Sequence, residues 1–172
     1  MKQSLALEIM LAGESVLLTG AAGAGKTYVL NRFIREAKRE GKKVAVTATT
    51  GLAATHLNGA TIHAWAGIGI HRSLPPRFAD GLSQSRRDTI ASTDVLIIDE
   101  ISMLHDYRLD MVDAVARAVR QSPEPFGGIQ VILCGDFFQL PPVNRGNEQG
   151  GFVTESFVWE EMHPVVCYLD EQ

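Results

Sequence analysis

Gly20-Ala21-Ala22-Gly23-Ala24-Gly25-Lys26-Thr27 satisfies the pattern G-x-x-x-x-G-K-[ST] at every fixed position. Its flanks supply the context this pattern needs: an apolar strand at Ser15–Thr19 and a helical stretch from Thr27 to about Glu40. Glycines let backbone N–H groups curl around phosphate oxygens, and the start of a helix adds the positive end of its dipole. In this arrangement Lys26 reaches the β- and γ-phosphates and the Thr27 hydroxyl ligates Mg²⁺. A glycine-rich turn that only caps a helix would need neither the lysine nor the threonine. The stretch therefore reads as a P-loop and sets the fold class as α/β.

Outward from the loop, short apolar strands alternate with helical runs, the pattern of βα units around a mostly parallel sheet flanked by helices on both faces. A short helix is expected at Gln3–Ala12, and Gly41 stands where a left-handed cap would end the helix after the loop. Strands are expected at Lys43–Ala48, Asp94–Ile98, Gln130–Cys134 and Pro164–Leu169. Tyr107–Gln121 has a helical period, with Leu109, Val112, Val115, Ala116 and Val119 on one stripe. Residues 67–87 hold glycines, prolines and weak periodicity, and read as a loop or a small inserted subdomain.

Magnesium bound at a P-loop takes a second ligand from the end of another strand, expected here to be a neighbour. Asp94-Val95-Leu96-Ile97-Ile98-Asp99-Glu100 is an apolar run ending in two acids. Asp99 is expected to hold Mg²⁺, directly or through water, and Glu100 to polarise the attacking water. Adjacent acids favour nucleotide hydrolysis over phosphate transfer to a second substrate. Gly135-Asp136-Phe137-Phe138-Gln139-Leu140-Pro141-Pro142 follows another strand. Its Gln139 can report on the γ-phosphate, or the segment can be a proline-stiffened turn whose phenylalanines fill the core.

Composition narrows the classes. The 172 residues suffice for one domain with a full core. An apolar fraction of 45% and a charged fraction of 21% are those of a globular chain, not a coiled coil or a disordered tail. No apolar run is long enough to span a membrane, and the N-terminal stretch does not read as a signal peptide. The two cysteines, Cys134 and Cys167, lie in apolar runs and are expected to be small core residues. The expectation is a soluble, intracellular protein. Net charge is −4, but residues 147–172 carry six acids and no Lys or Arg, so residues 1–146 are net +2. Binding to a polyanion depends on a local face, so the global sign does not exclude nucleic acid.

Taken together, the segments resemble the ATPase half of superfamily-one 5′-to-3′ helicases, specifically the PIF (petite integration frequency) DNA helicases, with the RecD group more distant. The P-loop, Thr47-Ala48-Thr49-Thr50-Gly51-Leu52-Ala53-Ala54, Asp99-Glu100-Ile101-Ser102-Met103-Leu104 and the Gly135–Pro142 segment carry the resemblance, with Thr61–Gly69 as a further block. The resemblance implies a RecA-like domain, ATP and Mg²⁺ as cofactors, and single-stranded DNA as partner of a monomer. It also implies work in DNA repair, recombination or telomere maintenance, in the cytoplasm if bacterial and in the nucleus or mitochondrion if eukaryotic.

By resemblance, Gln3 hydrogen-bonds the adenine edge and Gln139 couples the γ-phosphate to movement of a second motor domain. Thr49, Thr50 and Gly51 line the DNA path, with His63 and Trp65 nearby; Trp65 stands where relatives often have Phe, which keeps a flat ring that is expected to stack on a base. Ala24 replaces a more usual Thr. Residues 1–172 read as one motor domain whose second domain is absent, expected to bind Mg-ATP, hydrolyse it slowly and not unwind DNA. The alternative is a stand-alone nucleotide switch that binds a protein partner and moves no DNA. The basic run of residues 31–43 reads as a solvated helix flank, while Arg72, Arg77, Arg86 and Arg87 are candidate DNA contacts. His56, His71, His105 and His163 show no ligand spacing and read as structural.

Overall fold

The computed structural model describes residues 1–21, 23–56, 59–136 and 150–170. The strands are β1 (Val16–Gly20), β2 (Val44–Ala48), β3 (Ala60–Thr61), β4 (Val95–Asp99), β5 (Gln130–Cys134) and β6 (Val165–Leu169). They pair in the order β3-β2-β4-β5-β1-β6, and every pair is parallel. Parallel neighbours cannot be joined by a hairpin, so helices carry the crossovers and cover both faces. These are α1 (Gln3–Leu11), α2 (Lys26–Arg39), α3 (Gly51–His56), α4 (Ile62–Ala66), α5 (Gln84–Ser92), α6 (Asp106–Arg120) and α7 (Phe157–Met162).

Alternation along the strands sorts the core into two layers. Val16, Leu18, Val95, Ile97, Ile132 and Cys134 face α1 and α2, where they meet Ala6, Met10, Val29, Leu30 and Phe33. Leu17, Leu96, Ile98, Val131 and Leu133 face the other way, against Trp65, Ile90, Leu109, Val112 and Val115 from α4, α5 and α6. Strands covered on both sides read as unbroken apolar runs, which is why β4 and β5 were visible in the sequence. Among the described residues no helix is long and apolar enough to cross a membrane.

The expected elements are present to within one or two residues at their ends. The shorter elements α3, β3 and α4 had no sequence expectation, because segments of two to six residues show no readable period. Nor was α5 expected; its Ser83 cap accepts from the Arg86 N–H at 3.1 Å. Residues 67–83 run from the left-handed Gly67 at the end of α4, through a 3-10 turn at Phe78–Gly81, to that cap. Leu74, Phe78 and Leu82 from this connection pack on the core.

One expectation is corrected. The strand bearing Asp99 is not the neighbour of the P-loop strand: β5 lies between β1 and β4. At about 4.8 Å per strand, the two are separated by roughly 10 Å, a gap that a nucleotide's phosphates and an ion can fill. Because all six strands are parallel, Gly20, Ala48, Asp99 and Cys134 end on one edge of the sheet. Crevices at that edge are where open α/β sheets bind ligands.

Candidate functional site

The P-loop leaves β1 at Gly20, where an added Cβ would stand 2.5 Å from the Leu169 carbonyl oxygen of β6. No side chain fits there. Gly25 caps α2 in the left-handed conformation, φ 90°, and its missing Cβ makes room for the Gln3 amide. Gln3 Nε2 donates to the Ala24 carbonyl at 3.2 Å, so the first residue of α1 rests on the loop. The Lys26 ammonium donates to the carbonyls of Gly20 at 2.9 Å and Ala21 at 3.3 Å, folding back across the turn. Thr27, in the first turn of α2, is exposed. Ala24 is buried against the α1–α2 layer. Ala22 and Gln139 lie outside the described residues.

Asp99 ends β4 half-buried, and its Oδ1 accepts from the Glu100 N–H at 2.9 Å. Glu100 is itself left-handed, φ 57° and ψ 41°, uncommon for a residue with a side chain. Cys134, at the end of the intervening β5, is a core residue as expected, but it also touches the site. Burial pushes its thiol well above the ordinary range, and the neighbouring Asp99 carboxylate adds to this. Lys26 pulls the other way and Glu100 the same way, so the thiol lies within electrostatic reach of the loop lysine and both acids. The β5 strand end thus brings together groups that the sequence places 73 positions apart (Lys26 and Asp99).

Among the described residues no cluster of three or more His, Cys, Asp or Glu side chains could hold a metal unaided. A Thr27 hydroxyl and an Asp99 carboxylate are nevertheless hard oxygen donors. They suit Mg²⁺, which binds through one or two protein oxygens and completes its shell with phosphate and water.

The threonine block occupies the next strand end. Sheet register pairs Ala48 with Asp99, and the Thr49 hydroxyl donates to the Glu100 carbonyl at 3.0 Å. The Thr50 hydroxyl accepts from the Ala53 N–H at 3.2 Å, and exposed Gly51 opens α3. Thr49, Thr50 and Gly51 are therefore brought to the acids. His63 is half-buried in α4, where burial first and the Arg108 charge second lower its pKa. Trp65 corrects an expectation: it is 3% exposed and packed into the α4–α6 core, so its ring is not available to stack on a base. Its indole N–H has no partner among the described residues.

Two residues near the loop had no expected place at the site: Tyr28, and Arg32 of the basic run expected to be a solvated flank. A cavity of about 350 Å³ is lined by Lys2, Gln3, Ser4, Leu7, Tyr28 and Arg32, among others. Tyr28 and Arg32 sit one turn apart on α2, so the period that marked the helix also placed them together. Of the candidate arginines, Arg86 donates to the Trp65 carbonyl at 3.2 Å, Arg77 pairs with Asp80 at 2.8 Å and Arg87 donates to Gln84 at 3.1 Å. These internal partners weaken the idea that they form a DNA face.

A family model described as PIF1-like helicase matches residues 3–171. The ATP-dependent DNA helicase Pif1 of a Psychrobacter species is 49% identical over the whole of this chain, which spans 27% of that relative's length. The crystal structure of Pif1 helicase from Candida albicans superposes with a TM-score of 0.88 at 38% identity, covering 97% of this chain and 38% of that one. A Bacteroides Pif1 helicase solved in complex with ADP-AlF3 and single-stranded DNA gives 0.87 at 35% identity, covering 97% of this chain and 41% of that one.

Proposed function

The chain belongs to the PIF1-like helicase family, and on that premise we propose that it is the first RecA-like motor domain of an ATP-dependent 5′-to-3′ DNA helicase. One observation carries the reading. The P-loop leaves β1, and Asp99 and Glu100 leave β4, at the same edge of the parallel sheet with β5 alone between them, so the phosphate-binding and hydrolytic groups face one space. In that space Lys26 and the loop N–H groups take the phosphates, and Thr27 with Asp99 holds Mg²⁺, which neutralises phosphate charge. Glu100 accepts the proton of the attacking water.

Gln3 sits on the loop and lines the Tyr28–Arg32 cavity, and there it reads the adenine edge. Tyr28 is 56% exposed and offers a flat face to a base. The turn that carries Thr49, Thr50 and Gly51 lines the single-stranded DNA path, with His63 nearby, and its free hydroxyl and N–H groups hold the backbone without reading sequence. Gln139 links the γ-phosphate to a second motor domain. The chain by itself is a monomer that turns over ATP slowly and does not unwind DNA.

The test is steady-state ATP hydrolysis with and without oligo-thymidine, in the wild type and in Glu100→Gln. Glu100→Gln should abolish turnover and keep ATP binding. Turnover at the wild-type rate in that variant would remove Glu100 as the base, and unwinding by residues 1–172 alone would overturn the half-motor reading.

A further inference from the structure

Glu100 is held by its backbone. Its left-handed conformation persists in a residue with a side chain only where the surroundings hold it. Three hydrogen bonds do so among the described residues. The Glu100 N–H donates to Asp99 Oδ1 at 2.9 Å, while its carbonyl accepts from the Met103 N–H at 3.0 Å and from the Thr49 hydroxyl at 3.0 Å. The first two belong to the turn itself. The third comes from another strand, 51 positions away. Two residues earlier, the Thr47 hydroxyl donates to the Ile97 carbonyl at 2.6 Å, so β2 lays two hydroxyls along β4 and its turn.

A hydroxyl has one proton to give. The proton of Thr49 is committed to Glu100 and is not available for a DNA phosphate in this conformation. Its neighbour differs: Thr50 accepts from Ala53 through a lone pair, a bond that leaves its own proton unused. We propose that the two threonines divide the work, Thr49 being a positioning residue that orients the Glu100 peptide and hence its carboxylate, and Thr50 the DNA phosphate donor. The assignment rests on the reading of Glu100 as the base and of this turn as part of the DNA path. Because the two residues are adjacent, DNA seated on Thr50 is one peptide from the bond that aims the base.

The experiment compares Thr49→Val, Thr49→Ser and Thr50→Val with wild type in the complete protein. It reads kcat and KM for ATP at saturating oligo-thymidine, together with the Kd for oligo-thymidine. Thr49→Val should lower kcat by about 10- to 100-fold, the scale of a misplaced catalytic group. KM and the DNA Kd should stay within about twofold, the pattern of an interaction made only in the transition state. Thr49→Ser, which keeps the hydroxyl, should recover most of kcat. Thr50→Val should weaken DNA binding and reach the wild-type kcat once DNA saturates.

Weak DNA binding with a normal saturated kcat in Thr49→Val would make Thr49 a DNA contact and overturn the proposal. So would an unchanged Thr49→Val, or a Thr49→Ser no better than it. If Thr49→Val does not fold, as judged by thermal melting, Thr49→Ala against Thr49→Ser reads the same contrast. Glu100→Gln run alongside separates the two levels. Surviving turnover there removes the base itself, whereas lost turnover there with a normal Thr49→Val removes only the tether.

Discussion

Gln3 and Gly25 share one space: a methyl group placed on Gly25 would stand 2.0 Å from the Gln3 Nε2 atom. The same atom donates to the Ala24 carbonyl, so α1 and the phosphate loop are fitted to each other across 21 positions. Anything that moves the Gln3 amide also moves the wall of the loop. With Gln3 as the proposed reader of the base, base recognition and phosphate binding are mechanically joined there.

Gly25→Ala tests that fit. Alanine at φ 90° is strained, by about 1–3 kcal/mol, and it also displaces Gln3. Since about 1.4 kcal/mol is tenfold in affinity, binding of a fluorescent ATP analogue should fall about tenfold or more. Adding Gln3→Ala removes the collision but not the strain, so the double variant should recover only part of the loss. Wild-type affinity in Gly25→Ala would show that the loop does not need this shape.

Lys26 spans the loop by donating to Gly20 and Ala21. Lys26→Ala should abolish nucleotide binding in titration calorimetry while leaving the fold intact by circular dichroism. Lys26→Arg should not restore it, because a planar fork cannot replace a compact ammonium inside a tight turn. Restored binding in the arginine variant would mean that charge alone suffices.

Asp113 is the structural counterpart on α6. Its Oδ1 accepts from Arg117 Nε at 2.8 Å and from the Phe126 N–H at 2.6 Å, and Phe126 is buried in a left-handed turn, φ 54°. Arg117 also pairs with Glu161 of α7. Asp113→Ala strands these donors and should destabilise by about 2–4 kcal/mol, lowering Tm by roughly 5–15 °C. Burial, the largest influence, raises the Asp113 pKa despite both hydrogen bonds. The folded state therefore holds this proton more tightly than the unfolded one. Wild type should gain stability over Asp113→Asn as pH falls through the raised pKa toward the ordinary carboxylate range. A gap that narrows on acidification would contradict this.

His63 has the opposite sign. Its pKa is lowered by burial and by Arg108, so its contribution to stability is present above the ordinary histidine range and lost as pH falls through it. Melting temperature should drop between neutrality and about pH 5, and His63→Gln should lessen the drop. An identical pH profile in that variant would assign the titration to another group.

The P-loop, the acids after β4 and the long helices were legible because each is a matter of spacing along a few consecutive residues. Gly25, Lys26 and Thr27 must be neighbours in the chain to cap one helix, and α2 and α6 are long enough for a period to show. The strand order that sets β5 between β1 and β4 is of another kind, as are the Thr49 hydroxyl on Glu100 and the burial of Trp65. Each depends on the register between segments tens of positions apart. Those registers are chosen by how two apolar layers close over one sheet, a sum over many side chains to which no local pattern in the chain corresponds.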